Sequence, residues 1–220
     1  DTPDGGNVGI HKHLAIMTQI STFISSAKII ALLKSHHLIS VTEELPKFLA
    51  SYTKVFVNGN WVGVIDNPIT LVSKLKDKKR IGLIPYSVSI SFNIEENIVY
   101  VYSDSGRVLR PIFYIEKDRE SSLQKLTSTS FSWLNLLYGF TDKKKFNKYK
   151  FYAIDELYNK ADEQALLNKK GILDMIDVNE EETALISYTH NNENTHHTHV
   201  EIHPSLMLGV MGNQIIFPEN

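Results

Sequence analysis

The histidines near the end of the chain have the most evident potential for chemistry. His199 and His203 are four positions apart, a spacing that lets two imidazoles share one zinc ion when it lies on a helix. The β-branched residues between them and Pro204 after them favour a strand that runs into a turn, where this spacing does not converge. Glu201 is a further potential ligand, but the sequence has no cysteine to complete a tetrahedral site. We therefore predict no metal site in this cluster, which also contains His196 and His197.

Two arginines form a second candidate group. Arg107 and Arg110 could each bind a phosphate or a carboxylate, because a guanidinium group offers paired N–H donors. They lie three positions apart in a predicted strand that contains Pro111, so they should point to opposite faces. We expect at least one of them to be structural and to pair with an acid such as Asp104 or Glu116.

Two charged runs are expected to be solvated surface. The lysines at 143–145, 148 and 150 alternate with aromatic residues, as in segments that bind single-stranded nucleic acid, but short lysine runs are more commonly solvated. Residues 180–182, three consecutive glutamates, are predicted to form a solvated turn. The chain also lacks a phosphate-binding loop, a Gly-x-Ser-x-Gly motif and an Asp-x-Asp cluster, so we find no complete catalytic set.

The elements that would position these residues follow from local signals. A loosely alternating stretch over 12–21 suggests a strand, and a helix over 26–37 is predicted with Ser25 or Ser26 as its cap. Asn58-Gly59 between two apolar runs predicts a hairpin. Asn67-Pro68 predicts the start of a helix that reaches Arg80, with Ile69, Val72 and Leu75 at helical spacing. Residues 38–53 are predicted to be a connector.

Strands dominate the middle of the chain. Residues 88–94 alternate strictly between apolar and polar types, and with 98–102 and 108–115 they predict a three-stranded meander with one solvent-facing side. The pattern from 119 to about 170 is helical and ends at Gly171, after which short strands are predicted over 172–178 and 183–188, then an exposed loop over 189–198. The predicted fold class is α+β, with mixed hairpin and meander sheets, packed helices and two small subdomains.

Composition sets wider limits. With 220 residues, 42% hydrophobic and 22% charged, the chain can build an ordinary globular core. A formal net charge of −2 gives it no overall attraction for nucleic acid. The absence of cysteine excludes disulfides, and no apolar run reaches the roughly 18 residues that span a bilayer. We expect a soluble, intracellular protein without a membrane partner.

Several motifs in order carry a resemblance to a known family. The chain opens with Asp1-Thr2-Pro3-Asp4-Gly5, has the Val-Phe-Val-Asn-Gly-x-Trp hairpin at 55–61, and has Ser-Asp-Ser-Gly-Arg-x-x-Arg-Pro-Ile-Phe at 103–113. The stretches Gly171–Thr183 and Thr198–Gly209 follow. Together they resemble the second-largest, beta-type subunit of multisubunit DNA-directed RNA polymerases, and the hairpin and final motif are closer to the eukaryotic, archaeal and large-DNA-virus branches. No initiator methionine is present, and the resemblance implies an internal fragment of a longer subunit.

The resemblance implies roles for particular residues. The opening loop would lie near the active centre, where the carboxylate of Asp4 joins the charge network around the incoming nucleotide and second metal, together with Thr2, Pro3, Gly5 and Asn7. Asp4 stands where the family usually has glutamate, which is one methylene longer. The structural motifs would be Gly106, Arg107, Arg110 and Pro111, and the corner His199, Glu201, His203 and Pro204.

The resemblance also implies an organisation and a context. Residues 1–50 would end the fork region, 51–120 and 121–203 would be the two external domains, and 204–220 would begin the hybrid-binding region. No cofactor is expected in this fragment, since Mg²⁺ would be held mainly by the largest subunit. Partners would be that subunit, other polymerase subunits, and DNA template and RNA through the whole complex, in the nucleus or in the cytoplasm or a viral factory. A non-catalytic binding or scaffold module derived from such a subunit is the alternative.

Overall fold

Two β-sheets and four helices make up the described part of the chain. The computed structural model describes residues 4–42, 49, 51–116, 120–125, 132–139, 170–188 and 196–216. The helices are α1 Ser26–Ser35, α2 Pro68–Arg80, α3 Trp133–Tyr138 and α4 Val178–Glu182. The strands are β1 Gln19–Ile20, β2 Ile39–Ser40, β3 Thr53–Val57, β4 Asn60–Ile65, β5 Ser89–Asn93, β6 Ile98–Tyr102, β7 Val108–Tyr114, β8 Leu173–Ile176, β9 Ile186–Ser187 and β10 His199–Val200. The predicted α+β class is confirmed.

The first sheet contains the predicted hairpin. Its strand order is β2-β4-β3-β6-β5, with β3 and β4 antiparallel and β3 and β6 parallel. The turn between β3 and β4 has positive φ at both Asn58 (49°) and Gly59 (80°), the conformation that this residue pair favours in a two-residue hairpin turn. Helices α1 and α2 contribute side chains to one core with this sheet, formed by Ile29, Leu32, Leu33, Val55, Val57, Leu71, Leu75, Ile90, Val99 and Val101 among others.

The two longer helices begin at the predicted residues, although the Ser25 side chain at the start of α1 makes no capping hydrogen bond. The Asn67 side chain accepts a hydrogen bond from the Thr70 amide (3.1 Å), and Pro68 occupies the first turn of α2. The buried face of α2 is Leu71, Leu75, Lys78 and Lys79, whereas Ile69 is 70% exposed. The expectation that Ile69 shares the apolar face was wrong. The buried row of the helix is Leu71, Leu75 and Lys79, at positions i, i+4 and i+8, and Ile69 lies outside it. α1 ends at Ser35, two residues before the predicted end at 37.

The predicted meander does not form. β5 and β6 pair antiparallel, but the other edge of β6 is occupied by β3, so β7 cannot continue the sheet. After Gly106 (φ 87°) the chain enters a second sheet instead. The predicted solvent-facing side of β5 is also wrong: Ser87, Ser89 and Ser91 are buried, while Ile94 is 77% exposed.

The second sheet is built around β7. β1 and β10 pair antiparallel with its two ends, β8 pairs antiparallel with its middle, and β9 pairs parallel with β10. Pro111 of β7 lies opposite Met175 of β8. The core beside this sheet includes Ile81, Leu109, Phe113, Leu137, Tyr138, Ile172, Leu173, Met175 and Val200. Long-range partners therefore converge on one strand.

Other predictions are shortened or lie outside the described residues. Of the strand expected over 12–21 only β1 forms, and those expected over 172–178 and 183–188 are reduced to β8 and β9. Within the connector expected over 38–53, β2 pairs with β4. Most of 119–170 lies outside the described residues, apart from a 3₁₀ turn at Ser122–Lys125 and α3. The lysine-rich run at 143–150, the end of the helix before Gly171 and residues 189–195 lie outside as well. The predicted domain bounds stay a prediction.

Candidate functional site

A buried charge network joins the two sheets. Lys79 on α2 donates to Glu180 on α4 (Nζ–Oε1 3.0 Å) and to the Met175 carbonyl (2.8 Å). The same Glu180 oxygen accepts the Ile90 amide (2.6 Å), which lies in β5 of the first sheet. The side chains of Lys79 and Glu180 are 3% and 2% exposed. This pair therefore links α2, α4, β5 and β8 out of contact with solvent.

This geometry corrects one prediction. Residues 180–182 do not form a solvated turn, because they belong to α4, whose N-cap Asp177 accepts the Glu180 amide (2.9 Å). Glu180 is buried, Glu181 is partly exposed and only Glu182 is exposed. Three glutamates in a row resemble a surface run in the sequence, since the lysine that neutralises Glu180 lies 101 positions away.

A second set of contacts surrounds Asp174. Arg80 binds Asp174 through two nitrogens (Nη2–Oδ2 2.6 Å and Nε–Oδ1 3.2 Å) and lies over the Tyr114 ring, 3.6 Å from its centre. Burial by itself would raise the pKa of Asp174, but the charge and hydrogen bonds of Arg80 outweigh it and hold that pKa well below its usual range. Burial raises the pKa of Tyr114, so its hydroxyl stays protonated and donates to the Gly171 carbonyl (2.7 Å).

Arg107 connects several segments through one side chain. Its guanidinium donates to Asp104 (Nε–Oδ1 2.6 Å), to Asp177 (Nη1–Oδ2 3.0 Å) and to the Ser87 carbonyl (Nη2–O 2.7 Å). Asp177 also accepts the Ser89 hydroxyl (2.7 Å). The expected pairing of an arginine with Asp104 is present. Arg107 lies in the turn before β7 and belongs to the contact between the two sheets.

Arg110 has a separate pair of acidic partners. Within β7 it donates to Glu181 (Nη2–Oε1 2.8 Å) and to Glu201 (Nη1–Oε2 2.9 Å), which follows β10. Burial would lower its pKa, but these two carboxylates raise it, so the guanidinium stays charged. Both arginines of the motif are thus bound to acids of this chain.

The histidines have separate environments. His199 is 3% exposed; its Nδ1 lies 2.8 Å from the Thr198 hydroxyl, and its Nε2 lies 3.9 Å from Asp174. Burial lowers the pKa of His199 to about 3, so the ring is neutral at pH 7. His203 is exposed, and its Nδ1 accepts the Ser205 amide (3.2 Å) at the start of a 3₁₀ turn. Among the residues that the structure describes, no group of three or more His, Asp or Glu is arranged to hold a metal ion.

The opening segment, residues 4–24, is largely exposed. Gly5–Asn7 form a 3₁₀ turn that follows Asp4, and Gly5 and Gly9 have positive φ. A Cβ atom at Gly5 or Gly9 would meet nothing within 4 Å, so here φ rather than space requires glycine. Thr2 and Pro3 lie outside the described residues. The Asp4 carboxylate is exposed and does not cap the turn.

The closing segment, residues 204–216, packs on the opening segment. The Ile16 amide donates to the Leu208 carbonyl (2.9 Å). A Cβ atom at Gly209 would lie 3.1 Å from both the His13 Cβ and the Leu14 carbonyl, so only glycine allows this approach without displacement. The sequence gives no sign that its first and last motifs meet. The structure brings them together.

These two segments carry more than half of the exposed large hydrophobic side chains in the described residues. Examples with more than half of their surface exposed are Val8, Ile10, Leu14, Phe23, Val210, Met211, Ile215 and Ile216. Isolated monomers rarely expose large apolar areas, so a concentration of exposed apolar side chains indicates a contact surface. No helix in the described residues is long and apolar enough to cross a membrane.

Comparisons with known proteins agree with this arrangement of motifs. Residues 55–116, from within β3 to two residues past β7, match the family model RNA polymerase Rpb2, domain 4. Curated relatives align with 100% of the chain: it is 30% identical to the DNA-directed RNA polymerase II subunit RPB2 of Eremothecium gossypii and 28% identical to that of Encephalitozoon cuniculi. It is 26% identical to the archaeal subunit Rpo2 of Sulfolobus acidocaldarius.

The homologues of this chain are second-largest subunits of DNA-directed RNA polymerases. The chain spans about a fifth of the curated relatives' length, 20% of the Eremothecium subunit and 18% of the Encephalitozoon and Sulfolobus subunits. It therefore matches a segment of such a subunit, from the expected eukaryotic and archaeal branches. The predicted resemblance is confirmed.

Sequence reasoning missed part of the charge network. Lys79, Arg80, Asp174 and Asp177 were not candidates, because their partners lie 70 to 101 positions away. The available signal was Asp177 in an N-cap position, with acidic residues in the first turn behind it. That signal predicts a helix over residues 178–182 in place of the solvated turn predicted at 180–182.

Proposed function

We propose that the protein containing this segment takes part in template-dependent RNA synthesis from nucleoside triphosphates, as a subunit of DNA-directed RNA polymerase. The observation that carries the proposal is the alignment of the whole chain with second-largest subunits in eukaryotes and an archaeon. Nucleotidyl transfer would belong to the assembled enzyme, and the isolated segment is expected to be inactive.

The native gene product provides the direct test. A chain of roughly 100 kDa or more, co-purifying with template-dependent nucleotide incorporation, is the expected result, since relatives are about five times as long as this 25.0 kDa segment. A free chain of the segment's own mass without such activity would contradict the proposal. It would favour the alternative, a non-catalytic binding or scaffold module that keeps the fold.

Within the polymerase, the described residues between the opening and closing segments (25–203), here called the two-sheet body, would serve mainly as structure. Its buried carboxylates at Asp174, Asp177, Glu180 and Glu201 are each bound to an arginine or lysine of the same chain. Groups committed in this way are poorly suited to bind substrate. Mg²⁺ is proposed to be held mainly by the largest subunit.

The opening loop is the part proposed to lie near the active centre. Asp4 is exposed, and its carboxylate makes no capping hydrogen bond to the 3₁₀ turn that follows it. A carboxylate that belongs to the charge network around the incoming nucleotide can tune phosphoryl transfer without being a metal ligand. The exposure of Asp4 supports this role, because the side chain is available to groups outside the segment.

Substitution of Asp4 tests this role in the assembled polymerase. Asp4→Ala is expected to slow elongation severely, and Asp4→Glu, which restores the family's usual residue, should retain most activity. Lys144→Ala, in the run expected to be solvated, is the control and should have a mild effect at most. Elongation by Asp4→Ala at the wild-type rate would contradict the active-centre role.

The apolar surface of the opening and closing segments supports the proposed partnership with the largest and other subunits. Val210 is 61% exposed there, and Ile94, on the turn after β5, is 77% exposed. Val210→Asp should reduce recovery of the other subunits in a purification of the complex, whereas Ile94→Asp should not. Equal recovery with both variants would contradict a contact role for this surface. DNA template and RNA would be reached through the whole complex, in the nucleus, cytoplasm or a viral factory.

A further inference from the structure

We propose that Arg107 is a positioning residue that fixes the opening segment on the two-sheet body. Its guanidinium binds Asp104, Asp177 and the Ser87 carbonyl, so its expected effect on RNA synthesis is through the placement of residues 4–24. That last link rests on the proposed function of Asp4. The positioning role itself rests on the geometry below.

The side chain of Arg107 is anchored in the body. Its planar fork holds Asp104 in its own turn, Asp177 at the start of α4 and the Ser87 carbonyl before β5. The side chain is only 14% exposed, and Asp177 is 3% exposed. Charge-assisted hydrogen bonds to a buried carboxylate fix a guanidinium group in both position and orientation. The Arg107 backbone is consequently held with the body.

The backbone of Arg107 holds the opening segment. Its carbonyl accepts the Ser21 amide (2.8 Å), and its amide donates to the Ser21 hydroxyl (2.9 Å). The Ser21 hydroxyl in turn donates to the Asp104 carbonyl (2.9 Å), and the Ser21 carbonyl accepts the Gly106 amide (3.1 Å). Ser21 is 4% exposed. One residue of the opening segment thus makes four hydrogen bonds to the turn that carries Arg107.

Neighbouring contacts reinforce this turn. The Ile24 amide donates to the Ser103 carbonyl (2.9 Å), and Asn58 of the hairpin turn exchanges hydrogen bonds with Ser103 (2.7 and 3.0 Å). β1 extends this attachment toward the start of the chain through a two-residue pairing with Val108 and Leu109, and beyond it the Ile16 amide donates to Leu208 of the closing segment. The turn at 103–107 is therefore the junction between the exposed opening segment and the body.

Arg110 offers a matched control for Arg107. It lies three positions further along, its side chain is also 14% exposed, and it also binds two carboxylates. Its acidic partners, Glu181 and Glu201, belong to the body. Lysine at either position keeps the charge but cannot reproduce a guanidinium fork. The two Arg→Lys variants therefore lose comparable guanidinium–carboxylate hydrogen bonds, but only Arg107→Lys loses them at the junction with the opening segment.

Amide hydrogen exchange in the assembled polymerase tests the positioning role. Arg107→Lys should speed exchange in residues 19–24 by about 10-fold or more, the scale of one lost charge-assisted hydrogen bond, with little change in residues 89–102. Arg110→Lys should leave residues 19–24 near the wild-type rate. Ser21→Ala, which removes only the hydroxyl link, should also speed exchange in 19–24. Unchanged exchange there in Arg107→Lys, or equal acceleration in both arginine variants, would overturn the proposal.

Elongation kinetics separate this proposal from the one on which it rests. If both hold, Arg107→Lys lowers kcat and its effect is not additive with that of Asp4→Ala, whereas the effect of Arg110→Lys is additive. Faster exchange in 19–24 together with normal elongation by Asp4→Ala would support the positioning role and refute the active-centre role of Asp4. Additive effects of Arg107→Lys and Asp4→Ala would overturn the action of Arg107 through the opening segment.

Discussion

Replacing Glu180 by glutamine should destabilise the fold strongly. The change leaves the Lys79 ammonium, 3% exposed, without its negative partner 3.0 Å away. The glutamine oxygen can still accept the Ile90 amide, so the loss reports mainly on the uncompensated charge. Removing one partner of a buried ion pair typically costs about 3–5 kcal/mol of unfolding free energy.

Urea unfolding, followed by far-UV circular dichroism, measures this loss. With a slope of about 2 kcal/mol per molar urea, the midpoint should fall by roughly 1.5–2.5 M. Lys170→Met is the matched control, because the Lys170–Asp77 pair has a similar distance (2.8 Å) but side chains 21% and 27% exposed. Exposed pairs are worth about 0–1 kcal/mol, so its midpoint should shift by less than about 0.5 M.

A double variant completes the argument. Lys79→Met/Glu180→Gln removes the orphaned charge, so it should recover much of the stability lost in Glu180→Gln alone. Equal, small midpoint shifts for Glu180→Gln and Lys170→Met would refute the reasoning that burial makes this pair costly to break. A double variant less stable than Glu180→Gln would refute the assignment of the loss to the unpaired lysine.

Two further predictions concern His199 and Gly171. Burial lowers the pKa of His199 from near 6.5 in the unfolded chain to about 3 in the folded chain. Between these two pH values only the unfolded state binds the proton, so stability falls as the pH falls through this range. At pH 5 the loss is about 2 kcal/mol, and His199→Gln should flatten the pH dependence of urea unfolding between pH 5 and 6.5; an unchanged slope would contradict the assignment. A Cβ at Gly171 would lie 2.2 Å from the Leu137 carbonyl, so Gly171→Ala should lower the unfolding free energy by about 1–3 kcal/mol. Gly6→Ala is the control, because a Cβ at Gly6 would meet nothing within 4 Å. Equal melting temperatures for the two variants would contradict this prediction.

Local signals predicted the elements whose stability is decided nearby in sequence. The Asn58-Gly59 turn needs only two adjacent residues with positive φ, and the start of α2 needs only Asn67, Pro68 and the Thr70 amide. Periodicity was less reliable for deciding which face is buried. Ile69 and Ile94 fit their apolar patterns but are exposed, and Ser89 fits a solvent-facing pattern but is buried against Asp177.

The sequence by itself determined the α+β class, the hairpin, the starts of α1 and α2, and the resemblance to second-largest polymerase subunits, because these depend on adjacent residues or on ordered motifs. Only the tertiary structure decided that β7 leaves the first sheet, that Lys79 and Glu180 meet, and that the opening and closing segments pack together. The physical reason is that burying a charge or filling a sheet edge is favourable only when a distant partner is present. Arg107 shows both sides: its motif was visible in the sequence, but its contacts with Ser21 and Asp177 were not.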